Sequence, residues 1–201
     1  MPFLVLEGGE GSGKDTQIEL LGKKLDPHRT IFTREPGGTP LGEKLRSILM
    51  SEPMVLEAEL LIFLASRAEL IRTVIRPHLA QGKLVISNRF GLSTIAYQIY
   101  GRKRPDLLEF LKMLSKQVLG DLEPPHYILI DVDPEVGLDR VGKRGEKLTV
   151  FDAERLGFHM DVRKGYLAHY NDNGRGVCLN GAASIREVEQ QIAEQMKLWN
   201  L

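Results

Sequence analysis

Short apolar runs alternate with longer segments of helical periodicity along most of the chain. Pro2–Glu7 is almost wholly apolar and gives way to glycines, the pattern of a buried strand opening into a loop. Lys14–Leu25 follows, with Ile18, Leu21 and Leu25 spaced for one helix face. Thr30–Arg34 reads as a second strand, and Glu35-Pro36-Gly37-Gly38 must be a loop. Thr39 before Pro40 predicts an N-cap with proline at the first helical position, and a helix to about Met50. Leu56–Gln81 is the longest helical stretch. Its segment Leu60–Ala65 is apolar on every face, so it is either buried or at a subunit contact, and the contact is the reading preferred here.

Lys83–Ser87 predicts a third strand. The polar segment Asn88–Gly101 opens a helical region that runs to Leu119, with a break near Arg104-Pro105. His126–Val132 is a fourth strand, and Asp133-Pro134 starts a helix that ends near Gly142. Gly142–Leu148 is short, basic and glycine-flanked, the composition of a mobile loop. Asp152–Tyr170 is helical, Gly176–Asn180 is a fifth strand, and Ser184 with Glu187 has capping-box spacing for the last helix. Strands alternating with helices predict an α/β fold with a parallel sheet covered on both faces. With 201 residues and no internal linker, one domain is expected.

Composition removes several classes of function. Lys plus Arg and Asp plus Glu both number 27, so bulk charge gives no reason to expect a nucleic-acid or membrane partner. No apolar run approaches the ~20 residues of a membrane span, and the first residues lack a signal-peptide pattern. A cytoplasmic location is the default. The single cysteine, Cys178, lies in an apolar stretch and is expected to be a buried, inert thiol. The histidines His28, His78, His126, His159 and His169 show no ligand-like spacing.

The chemistry begins at Gly8-Gly9-Glu10-Gly11-Ser12-Gly13-Lys14. This is the G-x-x-x-x-G-K spacing between a predicted strand and a predicted helix. Such a loop folds its N–H groups into a nest around phosphate oxygens, and the helix N-terminus adds partial positive charge. Lys14 supplies a full charge for the outer phosphates. The next residue is ordinarily Ser or Thr, whose hydroxyl reaches Mg²⁺; here it is Asp15, followed by Thr16. An aspartate beside phosphates is repulsive unless a cation lies between them. Asp15 therefore binds the metal, or marks an impaired site, or merely favours the helix N-terminus.

The chain resembles the thymidylate kinases. The matching segments stand in family order: the phosphate loop, Thr33-Arg34-Glu35-Pro36-Gly37-Gly38-Thr39, Leu61–Arg67, Ser87-Asn88-Arg89-Phe90, Ala96-Tyr97-Gln98, Asp131–Glu135 and Phe158–Leu167. The resemblance implies a three-layer P-loop kinase fold with a five-stranded parallel sheet, a homodimer, and ATP-dependent conversion of dTMP to dTDP with Mg²⁺. It also implies roles. Glu10 faces the acceptor sugar. Arg34, Arg67 and Arg89 hold the acceptor phosphate and the transferring group, and Pro36 and Ser93 border the acceptor. Phe63 stacks on thymine, Thr94 and Gln98 lie near the base, and Tyr97 sits against the sugar. A basic lid over about residues 140–151 brings Arg140, Lys143, Arg144 and Lys147 to ATP, with Arg144 reaching the transferring group.

Each role has a plain alternative. Phe63 is equally a core residue, Arg67 a partner for Glu69, Glu59 or solvent, Tyr97 a packing residue, and the basic segment a solvated charge run. Two departures from the family stand out. The chain has Asn88-Arg89-Phe90 where the family usually has Asp-Arg-Tyr, so a carboxylate lost at position 88 is matched by one gained at position 15. Leu148–Asp152 replaces the usual Asp-Arg-Phe-Glu, removing part of the lid's polarity. Rival readings are a kinase for another nucleoside monophosphate and a catalytically silent nucleotide-binding protein.

Overall fold

The structure is a computed structural model that describes residues 2–143, 151 and 153–201. Five parallel strands form one sheet: β1 (Phe3–Glu7), β2 (Thr30–Arg34), β3 (Leu84–Asn88), β4 (His126–Asp131) and β5 (Gly176–Asn180). Their order is β2-β3-β1-β4-β5. Every position of β1 is buried, as the apolar run requires of a central parallel strand. Alternation along the strands then divides the core. Leu4, Leu6, Ile86, Ile128 and Ile130 face α1 (Lys14–Lys24) and α9 (Ile185–Leu198), where Leu21, Val188 and Ile192 meet them. Phe3, Val5 and Val85 face the opposite layer, against Leu70, Ile71 and Ile75. Burying each such side chain contributes about 1.5–3 kcal/mol.

The caps form as read from the sequence. Thr39 Oγ1 accepts from Gly42 N at 2.8 Å and starts α2 (Pro40–Ser51). Ser184 and Glu187 make the full capping box of α9. The long helical stretch is α3 (Leu56–Leu70), a widened π-turn at Ile71–Ile75, and α4 (Arg76–Ala80). The turn was not legible, because one extra residue in a helical turn leaves the surrounding periodicity readable as one helix. After β3 come α5 (Gly91–Thr94), a second π-turn at Ile95–Gly101, and α6 (Leu108–Leu119). Then α7 (Pro134–Lys143) follows β4, and α8 (Leu156–His169) precedes β5. Several boundaries differ from expectation, most by one residue: β3 ends at Asn88 and β4 at Asp131, while α8 begins at Leu156 rather than Asp152.

The expected wholly apolar segment is split by α3. Leu60 and Leu64 are buried against Ile99 and Leu111, while Leu61 and Ala65 are exposed. No helix among the described residues is long and apolar enough to cross a membrane. Cys178 is half-buried, and desolvation with nearby Asp131 pushes its thiol up to about 11, which makes it a poor nucleophile.

Candidate active site

Register sets the site. Leu6 pairs with Asn88, and Asn88 pairs with Arg34, so three strands end at one level. In open parallel sheets ligands bind beyond the carboxyl ends of the strands. Here a cleft of about 240 Å³ opens there, bordered by the phosphate loop, the Arg34–Pro36 segment, α3 and the turn that carries Tyr97 and Gln98.

The phosphate loop runs from β1 into α1, with Gly13 at the N-cap. Lys14 is buried and lines the cleft. Burial and the charge of Arg89 push its ammonium pKa down, which leaves it poised to gain from an incoming anion. The loop is pressed against α7. A Cβ built on Gly11 would stand 2.0 Å from the Gly137 carbonyl oxygen, and one on Gly137 would stand 2.2 Å from that of Glu10. Arg140 holds the loop from the same helix, donating to the carbonyls of Gly11 at 3.2 Å and Gly181 at 3.0 Å.

Arg89 is the centre of the cleft. Its backbone is left-handed, with φ 69°, where a side chain is rarely accommodated. The side chain donates to Glu10 Oε1 at 2.9 Å, Tyr166 Oη at 2.7 Å, Tyr97 Oη at 3.1 Å and Ser93 Oγ at 3.1 Å. Tyr97 in turn donates to Glu10 at 2.6 Å. Burial works against charge on Glu10, yet Arg89 and Lys14 outweigh it and bring the carboxyl down to about 2. Glu7, fully buried at the end of β1, accepts from the backbone N–H groups of Phe90 and Ser93 at 2.8 and 3.1 Å. It thereby pins the strained turn that points Arg89 forward. Burial raises the Glu7 carboxyl above its ordinary value.

Asp15 and Asn88, the two departures, are in contact: Asn88 Nδ2 donates to Asp15 Oδ1 at 2.6 Å. Asp15 Oδ2 lies 3.5 Å from Lys14 Nζ. Burial raises the Asp15 pKa, but Lys14 and Asn88 lower it by more. Asn88 Oδ1 is buried without a protein partner. One ionised carboxylate beside a free amide oxygen, at the phosphate loop, suits a hard cation that keeps most of its waters and takes its other ligands from phosphates. Among the described residues no group of three His, Cys, Asp or Glu side chains is placed to hold a metal alone.

The acceptor side is partly as expected. Arg34, Pro36, Phe63, Ser93, Thr94, Tyr97 and Gln98 line the cleft. Arg34 is anchored by Glu43 at 2.8 Å. Arg67 does not reach the cleft surface. It is 1% exposed and bonds Glu35 through Nε at 2.9 Å and Thr94 Oγ1 through Nη2 at 2.7 Å. Its partner is therefore Glu35, not the helix neighbour Glu69 or Glu59. Burial raises the Glu35 carboxyl to about 7 against the pull of Arg67. Arg46, absent from the sequence reading, lines the cleft and donates to the Pro36 carbonyl at 3.1 Å.

The ATP-side residues divide. Gly8, Gly9, Glu10, Gly11, Ser12 and Gly13 form the loop, and Thr16 lies in the first turn of α1. Lys143 is turned to solvent and pairs with Asp139 at 2.5 Å. Arg144 and Lys147 lie outside the described residues.

The family model for thymidylate kinase matches residues 6–192. The chain belongs to the thymidylate kinase family. It is 47% identical over 173 residues to a thymidylate kinase of Carboxydothermus hydrogenoformans, covering 82% of each chain. It is 37% identical over 197 residues to one of Shewanella amazonensis, covering 94% of this chain and 93% of the other. The solved thymidylate kinase of Ehrlichia chaffeensis superposes with a TM-score of 0.77 at 31% identity, with 97% of each chain covered. The α/β sheet with helices on both faces is thus the thymidylate kinase fold.

Proposed function

We propose that this chain transfers the γ-phosphoryl group of ATP to dTMP, giving ADP and dTDP. The observation that carries the proposal is Arg89. It is fixed by four side chains at the junction of the phosphate loop and the acceptor cleft, where the two phosphates must meet. Phosphoryl transfer asks the protein mainly to position groups and offset charge. An oxygen of the acceptor phosphate attacks the γ-phosphorus, and the bond to the β–γ bridging oxygen breaks as ADP departs. Lys14 and the N–H groups of the phosphate loop hold the donor phosphates. Arg34 and Arg89 hold the acceptor phosphate and the group in transit, Phe63 stacks on the base, and Glu10 with Tyr97 contacts the sugar. Ser93 and Pro36 complete the acceptor wall, and buried Arg67 braces it from behind through Glu35 and Thr94.

Mg²⁺, when bound with ATP, supplies further positive charge at the donor phosphates. Asp15 and Asn88 are the residues that would hold it, through its waters or directly. Arg140 serves the ATP side through the loop it fastens, with Lys143, Arg144 and Lys147 as further cations of the 140–151 segment. Homodimer formation is part of the same reading: Leu61 on α3, with Phe110 and Met113 on α6, leaves apolar side chains exposed for a second copy. The whole chain acts as one kinase domain in the cytoplasm.

The test is ADP release from ATP with dTMP, dUMP, dCMP, dGMP, UMP, thymidine or no acceptor, each with Mg²⁺, with Mn²⁺ and with chelator. Metal-dependent release with dTMP well ahead is expected. Nucleotide binding without acceptor-stimulated ADP would overturn the proposal in favour of a silent binder.

A further inference from the structure

Glu59, Phe63 and Arg67 recur every four residues along α3 and so share a face. Phe63 lines the cleft, and Arg67 is spent on Glu35 and Thr94. Glu59, half-buried one turn before Phe63, accepts a hydrogen bond from Gln98 Nε2 at 2.8 Å. Gln98 is 1% exposed and lines the cleft.

A side-chain amide has a donor end and an acceptor end of nearly the same shape. Which end faces a ligand is decided only by a neighbour that distinguishes the two. An ionised carboxylate does so, because it only accepts. Held by Glu59, Gln98 must turn its NH₂ toward α3, which leaves Oε1 as its acceptor in the cleft wall. A second constraint acts four residues earlier. Thr94 Oγ1 accepts from Arg67, which has no acceptor to offer in return, so the Thr94 hydroxyl hydrogen is free to donate elsewhere. Thr94 also lines the cleft. The wall therefore carries an acceptor beside a donor. The imide edge of thymine or uracil, an N–H beside a carbonyl, is complementary to that order. The edge of cytosine, a ring nitrogen acceptor beside an amino donor, opposes it at both positions.

We infer that Glu59 is a positioning residue for base selection, which fixes the Gln98 amide so that the cleft takes an imide edge and rejects cytosine. The inference rests on the kinase reading above and names the residue that sets its acceptor choice. It is tested with Glu59→Gln, which keeps the shape and removes the obligate acceptor. A glutamine at position 59 donates or accepts, so it no longer decides which end Gln98 presents. The measurements are kcat/KM for dTMP and dCMP, and calorimetric Kd for both nucleotides without ATP.

The expected result is a fall of about tenfold in the dTMP to dCMP ratio, the scale of one misdirected hydrogen bond. It should arise from KM and Kd for dTMP, with KM for ATP unchanged. A merely structural role would weaken both acceptors alike. Should Glu59→Gln fail to fold, Glu59→Ala admits a water that donates or accepts, and the same fall is expected. A wild type that prefers dTMP, together with a folded variant whose ratio is unchanged, overturns the inference alone. A wild type with no preference for dTMP overturns the kinase reading and the inference with it.

Discussion

Replacing Asp15 by threonine restores the ordinary phosphate-loop residue but removes a carboxylate that this chain keeps within 2.6 Å of Asn88. If the pair holds Mg²⁺, Asp15→Thr alone lowers activity, and adding Asn88→Asp returns negative charge to the same place and recovers a good part. The size follows from geometry. The Asp15 side chain is 52% exposed, so its field is screened well below that of a buried charge. Two unit charges 4 Å apart interact by about 1 kcal/mol in bulk water and about 4 kcal/mol at the effective dielectric of a protein surface. Groups sharing one ion should then couple by about 1–3 kcal/mol, or roughly 5- to 150-fold in kcat/KM. The assay is a double-mutant cycle on ADP release with dTMP at several Mg²⁺ concentrations. It is paired with Mn²⁺ binding to each ATP complex followed by paramagnetic resonance, which reads the metal without turnover. A double variant no better than Asp15→Thr in both measurements would sink the idea of a relocated carboxylate.

Two further outcomes are expected. Arg89→Lys keeps the charge but loses the planar fork that reaches Glu10, Tyr97, Tyr166 and Ser93 together, so steady-state turnover should drop about 10³-fold; a loss under tenfold in a folded variant would refute the role given to Arg89. Glu35 has a folded pKa of about 7, raised from an ordinary 4.5, so the stability it contributes is complete below about pH 4.5 and is lost as pH rises through 7. The unfolding free energy of the wild type minus that of Glu35→Gln, from urea titrations, should fall by up to about 3 kcal/mol between pH 4.5 and 8. A difference that does not change with pH would show that Glu35 stays ionised throughout.

What was legible in the sequence was mostly local. Thr39 with Pro40, and Ser184 with Glu187, declare helix starts within a few residues, and both caps form. The central strands β1, β3 and β4 were legible because parallel strands buried on both faces read as short apolar runs. The π-turns at Ile71–Ile75 and Ile95–Gly101 were not, since one extra residue in a single turn is too small a shift to show in the helical periodicity. In the cleft, motif residues such as Lys14, Arg89 and Tyr97 could be named because they lie in recognisable segments. Their supports could not. Glu7 looked like the polar end of a strand, Glu35 like part of a loop, and Tyr166 like a helix residue. Each acts through a partner distant along the chain, and periodicity carries no information about such pairs. The one available signal was the cost of charge at Glu7, which ends a run that the pattern buries, and a buried carboxylate requires a partner. Arg67, expected at the acceptor phosphate, is instead held by Glu35 and Thr94, both distant from it along the chain.

The contact between Gly11 and Gly137 restricts how this sequence can change over time. A side chain at Gly11 would begin in the Gly137 carbonyl and one at Gly137 in the Glu10 carbonyl, so an alanine at either position drives helix α7 away from the phosphate loop. No substitution at the first position is eased by a compensating substitution at the second, because glycine is already the smallest residue. The two sites are therefore expected to stay fixed together as descendants of this chain diverge, although neither supplies a side chain to the reaction. Invariance there would record the closeness of two backbones rather than chemistry.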